Sequence, residues 1–220
     1  MILLRALCAA ATVVSCLSCG HGIQASFLDP YATTSRASSV GAVGLFARNA
    51  ALTGLPDIET ATLVAGCTEL RVAAPSWSDT RSPLLRIVHC GSEVRAQIYL
   101  SQETLDSSTL QVPQPYRCGT PAEGYHRCLY QAPDPTPDQA RSLLGRLAAL
   151  RLSEHPDHPM GDERPVLACG ALELQVLEGE HYHRFDWWAP PCRRQGVGEA
   201  AIAAFTLLSR IADSLAGPAS

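Results

Sequence analysis

The sequence predicts an α+β fold, with an antiparallel sheet of about five to six strands, two main helices packed on one face, and disulfide staples. Runs such as Glu69-Leu70-Arg71-Val72 and Val94 to Leu100 alternate polar and apolar residues, the period-two mark of a half-buried strand. Two later segments carry apolar residues at helical spacing, and the order strands, helix, hairpin, helix suits helices layered on an antiparallel sheet. Cys67, Cys90, Cys118, Cys128, Cys169 and Cys192 are spread over the same region, an even count without a C-x-x-C pair.

The first segment is a signal. Met1 to Leu4 and a single charge at Arg5 precede an apolar run, Ala6 to Val14, that ends in Val13-Val14-Ser15-Cys16. The run is too short for the roughly 20 residues a membrane span needs, and small residues before a cut mark secretion. With cysteine at the cut, the stretch resembles the lipobox of bacterial lipoproteins. That resemblance implies attachment of a palmitate-bearing N-terminal lipid to Cys16 and a membrane partner through that lipid. Cys19, preceded by Cys16-Leu17-Ser18, is the alternative: the local pattern favours Cys16, whereas parity favours Cys19, because a cut there leaves six pairable cysteines. Neither Leu17 nor Gly20 is aspartate, which by resemblance to Gram-negative sorting implies the periplasmic face of the outer membrane.

Composition agrees with export. Disulfides persist in the periplasm and are rare in the cytosol. The formal charge is −4, and −5 once Arg5 leaves, so there is no electrostatic case for a nucleic-acid partner. All 17 basic residues are arginines, which reads as coding bias. The organisation expected is a signal over 1–15, a lipid anchor, tether and short helix over 16–58, and one periplasmic α+β domain over 59–217.

Within the tether, residues 17–40 are poor in charge and rich in Gly, Ala, Ser and Thr, and Val43 to Thr53 form a short helix stopped by Gly54 and Pro56. Strands around Glu69–Val72, Leu85–His89 and Val94–Leu100 then make an antiparallel meander, with Pro75 to Pro83 as a turn-rich connection. Residues 101–135 are irregular and proline-rich, stapled by Cys118 and Cys128, with a short strand at Tyr125 to Tyr130. Thr136-Pro137-Asp138-Gln139 is a capping box with proline at the first helical position. Ala140, Leu143, Leu144, Leu147 and Leu150 follow as a buried stripe, while Arg141, Arg146 and Arg151 face water. Leu172–Leu177 and His181–Trp188 form a hairpin about Gly179, and Val197 to Leu215 a last helix buried through Ala201, Phe205, Leu208, Ala212 and Leu215. The Leu-rich helix, Cys169-Gly170, His181 to Phe185, Pro190 and terminal helix together resemble small uncharacterised lipoproteins of Gram-negative bacteria. That resemblance implies no activity.

Two constellations compete with ordinary structure. His155-x-x-His158 beside Asp157, Asp162 and Glu163, and His181-x-His183, have metal-ligand spacing. The first pair alternates with prolines in a loop and the second falls on an exposed strand face, so no metal or other cofactor is expected. Trp77, Trp187 and Trp188 with Tyr116, Tyr125 and Tyr182 suit a sugar or peptide platform, but adjacent tryptophans on a strand face opposite sides and one belongs to the core. No G-x-S-x-G, H-E-x-x-H, phosphate-loop or EF-hand pattern occurs, and no catalytic residue is assigned. Glu173, Glu178 and Glu180 read as ordinary strand and turn residues.

Hairpin geometry pairs the cysteines. A turn centred near residue 78 or 79 puts Cys67 opposite Cys90. A turn at Gly179 puts Cys169 opposite Ala189, three residues short of Cys192, a gap Pro190-Pro191 would close; Cys118 then pairs with Cys128. The expected framework is sequential. The function expected is a non-catalytic binding module for an envelope protein or peptidoglycan. The alternatives are an inhibitor or immunity protein with a toxin or wall hydrolase as partner, and a metal-assisted hydrolase.

Overall fold

Alternation between two faces builds most of this molecule, and a computed structural model shows how the faces are used. The described residues are 30–34, 46, 49–74, 81–105, 110, 112–119, 126–154, 171–188 and 199–216. They fall in two units, residues 1–31, of which only Pro30 and Tyr31 are described, and residues 32–220. The elements in chain order are β1 (Tyr31–Thr33), α1 (Ala50–Thr53), β2 (Thr62–Leu63), β3 (Cys67–Ala73), β4 (Arg81–Cys90), β5 (Glu93–Thr104), β6 (Tyr116–Cys118) and β7 (His126–Gln131). There follow α2 (Pro137–Ala149), β8 (Ala171–Glu178), β9 (His181–Trp188) and α3 (Glu199–Ala216), with a single 3-10 turn, Leu152–Glu154, after α2.

The fold is α+β. The main sheet is antiparallel with seven strands in the order β6-β7-β5-β4-β3-β8-β9, and β1 and β2 form a separate two-stranded sheet. The sheet is one strand wider than the sequence predicts because three residues amid the prolines, Tyr116–Cys118, pair with β7. β4 also starts earlier than expected, at Arg81, and carries Pro83 within the strand. Pro83 tolerates this because β3 ends at Ala73: its carbonyl accepts the Ala74 N–H at 3.1 Å, and its missing N–H falls past the β3 ladder. The β8–β9 turn has two residues, Gly179-Glu180, with Glu178 opposite His181. Gly179 sits at φ +59°, where glycine is favoured. That register is displaced by one from the sequence expectation of a turn centred on Gly179.

One set of alternating positions makes the larger core. Val72, Leu85, Ile87, Val94, Ala96, Leu172, Leu174 and Trp187 cluster with Ala140 and Leu147 of α2 and Ala201, Ala204, Leu207 and Leu208 of α3. α2 begins as its sequence dictates: the Thr136 hydroxyl accepts from the Gln139 N–H at 3.3 Å, and Gln139 Oε1 accepts from the Thr136 N–H at 2.8 Å. Arg141, Arg146 and Arg151 are exposed as expected. In α3, Phe205 is only half-buried; Ala204 and Leu207 lie deeper. Trp187 is the core tryptophan, at 1 % exposure, stacked on Phe185 at 5.9 Å between ring centroids. α2 packs on β5, whose first half has β4 on one side and no strand partner on the other among the described residues. Val94 and Ala96 are nonetheless buried there, so that stretch of sheet edge is covered.

Among the described residues two disulfides are in place, Cys67–Cys90 and Cys118–Cys128, each with Cα atoms 4.1 Å apart. Both pairs are directly opposed in register. The Gly91 N–H donates to the Gly66 carbonyl, and the Gly119 N–H to the Arg127 carbonyl, so each hydrogen-bonded pair lies one step beyond the cysteines. The cysteines therefore occupy non-hydrogen-bonded positions, where opposed side chains approach closely.

Candidate functional site

The other set of alternating positions carries a polar cluster, and its central members Glu69, Arg71, Arg86, Glu173 and Gln175 are buried. Across β5, β4, β3, β8 and β9, successive register partners are Gln97, Arg86, Arg71, Gln175 and Arg184. On one side of this row run Tyr99, Leu84, Ala73, Glu173 and Asp186; on the other run Arg95, Val88, Glu69, Leu177 and Tyr182. Two arginines thus face each other across adjacent strands, which is destabilising unless an acid intervenes. Glu69 intervenes. Its fully buried carboxylate accepts from Arg71 Nε at 2.7 Å and from Arg86 Nε and Nη2 at 2.9 and 3.2 Å. Arg86 Nη1 also donates to Gln97 Oε1 at 2.7 Å.

Phe46 and residues 49–59 reach over this face. Arg71 Nη2 donates to the Pro56 carbonyl at 3.1 Å, and its guanidinium lies over the Phe46 ring, 5.7 Å from the centroid. The buried Asn49 accepts from the Ser101 hydroxyl at 3.0 Å, and Phe46, Leu52 and Leu55 pack with Ala73, Leu84, Tyr99 and Leu129. The expected half-buried strands are therefore buried on both faces in β3, β4 and β8. Alternation reveals that the faces differ, while the polar face stays dry here because a charged network and a covering segment satisfy it.

The network continues to the β9 edge with more exposure. Gln175 Nε2 donates to Glu173 Oε1 at 2.6 Å, so Glu173 is part of a buried network rather than an ordinary strand residue. Gln175 Oε1 is buried and has no hydrogen-bond partner among the described residues. Arg184 makes a two-pronged contact with Asp186, at 2.9 and 3.2 Å. Burial works against the Arg184 charge, but the Asp186 hydrogen bond and the Glu173 and Asp186 charges outweigh it and raise its pKa. The Tyr182 hydroxyl donates to Glu59 at 3.3 Å, and burial followed by the Glu59 charge pushes the phenol up. Glu69 is sealed at 0 % exposure, and the network holds Phe46, Pro56 and Glu59 against the sheet.

Among the described residues, an open feature lies at the opposite edge. A groove of about 510 Å³ runs between the start of β6 and the end of β7. Pro115, Tyr116 and Arg117 line it from the β6 side, and Leu129 to Asp134 from the end of β7 and the chain beyond. Tyr116 and Tyr130 are opposed in register, and their rings back onto Leu100, Val112 and Cys128. Arg117 and Asp134 are exposed and Gln131 is half-buried. Pro115 occupies the place opposite Gln131 and has no N–H to continue the ladder, so pairing ends where the groove opens.

The sequence candidates are distributed as follows. His181 and His183 are exposed, and among the described residues no three His, Cys, Asp or Glu side chains could hold one metal ion. Tyr116 lines the groove, whereas Tyr182 lies at the far edge of the sheet, so these two tyrosines do not share one aromatic platform. The buried Arg71–Glu69–Arg86 cluster and the Tyr130 wall escaped the sequence reading. The available signal was a cluster of apolar residues, Phe46, Leu52, Leu55 and Ile58, in need of a surface to cover. Cys16, Cys19, Trp77, Tyr125, His155, His158, Cys169 and Cys192 lie outside the described residues. Among the described residues, no helix is long and apolar enough to cross a membrane. No family model, curated protein or solved structure matches this chain.

Proposed function

We propose that this chain is an exported lipoprotein, anchored at the periplasmic face of the outer membrane through Cys16, with Cys19 as the alternative. In this reading it binds an envelope protein or a component of the peptidoglycan wall without transforming it. The observation that carries the binding reading is the β6–β7 groove. Its volume, about 510 Å³, falls in the range of roughly 300–1,000 Å³ typical of ligand sites. Its polar groups are two phenols, an amide, one guanidinium and one carboxylate, which supply contact area and hydrogen bonds rather than a nucleophile held by a base. Two disulfides at strand pairs support an oxidising compartment, and Val13-Val14-Ser15-Cys16 supports the anchor. We further infer that α2 and α3 cover one face of the sheet, a reading supported by the core they share.

The test uses purified wall sacculi for co-sedimentation and a photo-crosslinker at position 117 in living cells for protein partners. Sedimentation or a discrete crosslink that Tyr116→Ala and Tyr130→Ala both abolish is the expected result. If both assays are blank with the wild-type chain, or the tyrosine variants bind as well as wild type, the proposal fails.

A further inference from the structure

We propose that the Cys118–Cys128 disulfide is a reducible fastener that holds one wall of the groove in place, and that a dithiol opens it while Cys67–Cys90 stays closed. β6 is a three-residue strand at the sheet edge, and β7 is its neighbour. Its pairing consists of Tyr116 with Tyr130, Arg117 with Leu129 and Cys118 with Cys128, followed by the Gly119 N–H to the Arg127 carbonyl at 2.9 Å. So short a pairing is marginal by itself. The disulfide is its covalent tie to the sheet.

The two bridges differ in access and in what their opening disturbs. Cys118 is exposed, whereas Cys128 is at 0 % exposure, so Cys118 is the side of the bridge open to an incoming thiolate. Cys67 is buried and Cys90 half-buried, and both end a strand pair of seven register partners. β3 is flanked by β4 and β8, and β4 by β3 and β5. Reaching Cys118–Cys128 needs only fraying of the edge strand, while Cys67–Cys90 ends a ladder whose two strands are each paired on both sides, so its neighbours stay in place.

The chemistry is ordinary exchange. A thiolate of the dithiol attacks Cys118 Sγ, the bond to Cys128 Sγ breaks, and Cys128 leaves as a thiolate that takes up a proton. The second thiol of the reagent then attacks the mixed disulfide, releasing the Cys118 thiol and leaving the reagent as a cyclic disulfide. The protein gains two electrons and two protons. Pro115, Tyr116 and Arg117 then part from the β7 wall, and the groove is lost. The exchange chemistry does not depend on what the groove binds; only its consequence for binding rests on the proposed function. A fastener that opens beside a groove that binds nothing would refute that function alone.

The test treats the native, oxidised full chain with dithiothreitol without denaturant, quenches with an alkylating agent, and maps the labelled cysteines over time. Cys118 and Cys128 are expected to label roughly tenfold or more faster than Cys67 and Cys90. Hydrogen exchange on the partly reduced protein should show lost protection across 116–119, with β3 and β4 unchanged. A Cys118→Ala/Cys128→Ala double variant should reproduce that pattern; if it does not fold, the wild-type time course decides alone. Reduction of Cys67–Cys90 first or simultaneously, or β6 amides that stay protected after Cys118 and Cys128 are alkylated, would overturn the proposal.

Discussion

Replacing Glu69 by glutamine keeps the side-chain shape and removes the charge that separates Arg71 from Arg86. The carboxylate accepts three guanidinium N–H groups at 2.7 to 3.2 Å in a site with no exposure. Glutamine retains one acceptor oxygen and turns an NH2 group toward a donor. Removing one partner of a buried ion pair costs about 3–5 kcal/mol, chiefly because the remaining charge stays buried. Arg71 keeps the Pro56 carbonyl and Arg86 keeps Gln97, so the lower end, about 3 kcal/mol, applies. Against a total stability of about 5–15 kcal/mol this is a large fraction. With a urea slope of about 2 kcal/mol per M, the midpoint falls by about 1.5 M. The assay is urea unfolding of the disulfide-intact protein followed by circular dichroism at neutral pH. The apolar triple variant Glu69→Leu/Arg71→Leu/Arg86→Met should lose less than Glu69→Gln, since no charge is left stranded. A midpoint for Glu69→Gln within about 0.3 M of wild type, or a triple variant weaker than the single one, would refute the reasoning.

Alkaline pH gives an independent check, because Tyr182 and Tyr99 both have phenol pKa values raised above 10.0 in the folded state, in each case first by burial. Folded protein then holds protons that unfolded chains release, so their stabilising contribution is full below about pH 10 and declines as pH rises above it. Tyr182→Phe should flatten that decline in the thermal midpoint; an unchanged slope argues against the half-buried setting of Tyr182 and its contact with Glu59. Thr136→Ala removes the hydroxyl of the α2 capping box and should lower stability by about 1 kcal/mol in the same urea assay. Peptide mapping under non-reducing conditions should recover Cys169 joined to Cys192 beside the two bridges already placed; Cys169 joined to another cysteine would break the sequential framework.

How much of this was legible depended on how local the determinant is. The start of α2 is written in four consecutive residues that satisfy one another, and the structure forms both hydrogen bonds. Cys67–Cys90 was legible because a centred turn fixes a constant register sum, and one slip would move every side chain to the wrong face. The β8–β9 hairpin shows how fine that margin is: a two-residue turn at Gly179 displaces the register by one. β6 was hidden because three residues after a proline carry no periodicity. The polar face of the sheet was misread for a different reason. Glu69 and Arg71 alternate with Leu70 and Val72 as an exposed face would, and nothing within that run shows that Phe46 and Pro56 come back to cover it. The groove joins Tyr116 to Tyr130 through a pairing that only the three-dimensional register reveals.

Export and anchoring are the centre of the proposed function, and tritiated palmitate labelling with membrane fractionation in a Gram-negative host measures both. The wild-type chain should carry label and fractionate with the outer membrane. Cys16→Ser should lose the label and appear in the soluble periplasm, while Cys19→Ser stays labelled and anchored; the opposite pattern moves the anchor to Cys19. A Cys16→Ser/Cys19→Ser double variant that is still labelled and membrane-bound, or a wild-type chain that never takes up palmitate, would contradict the account.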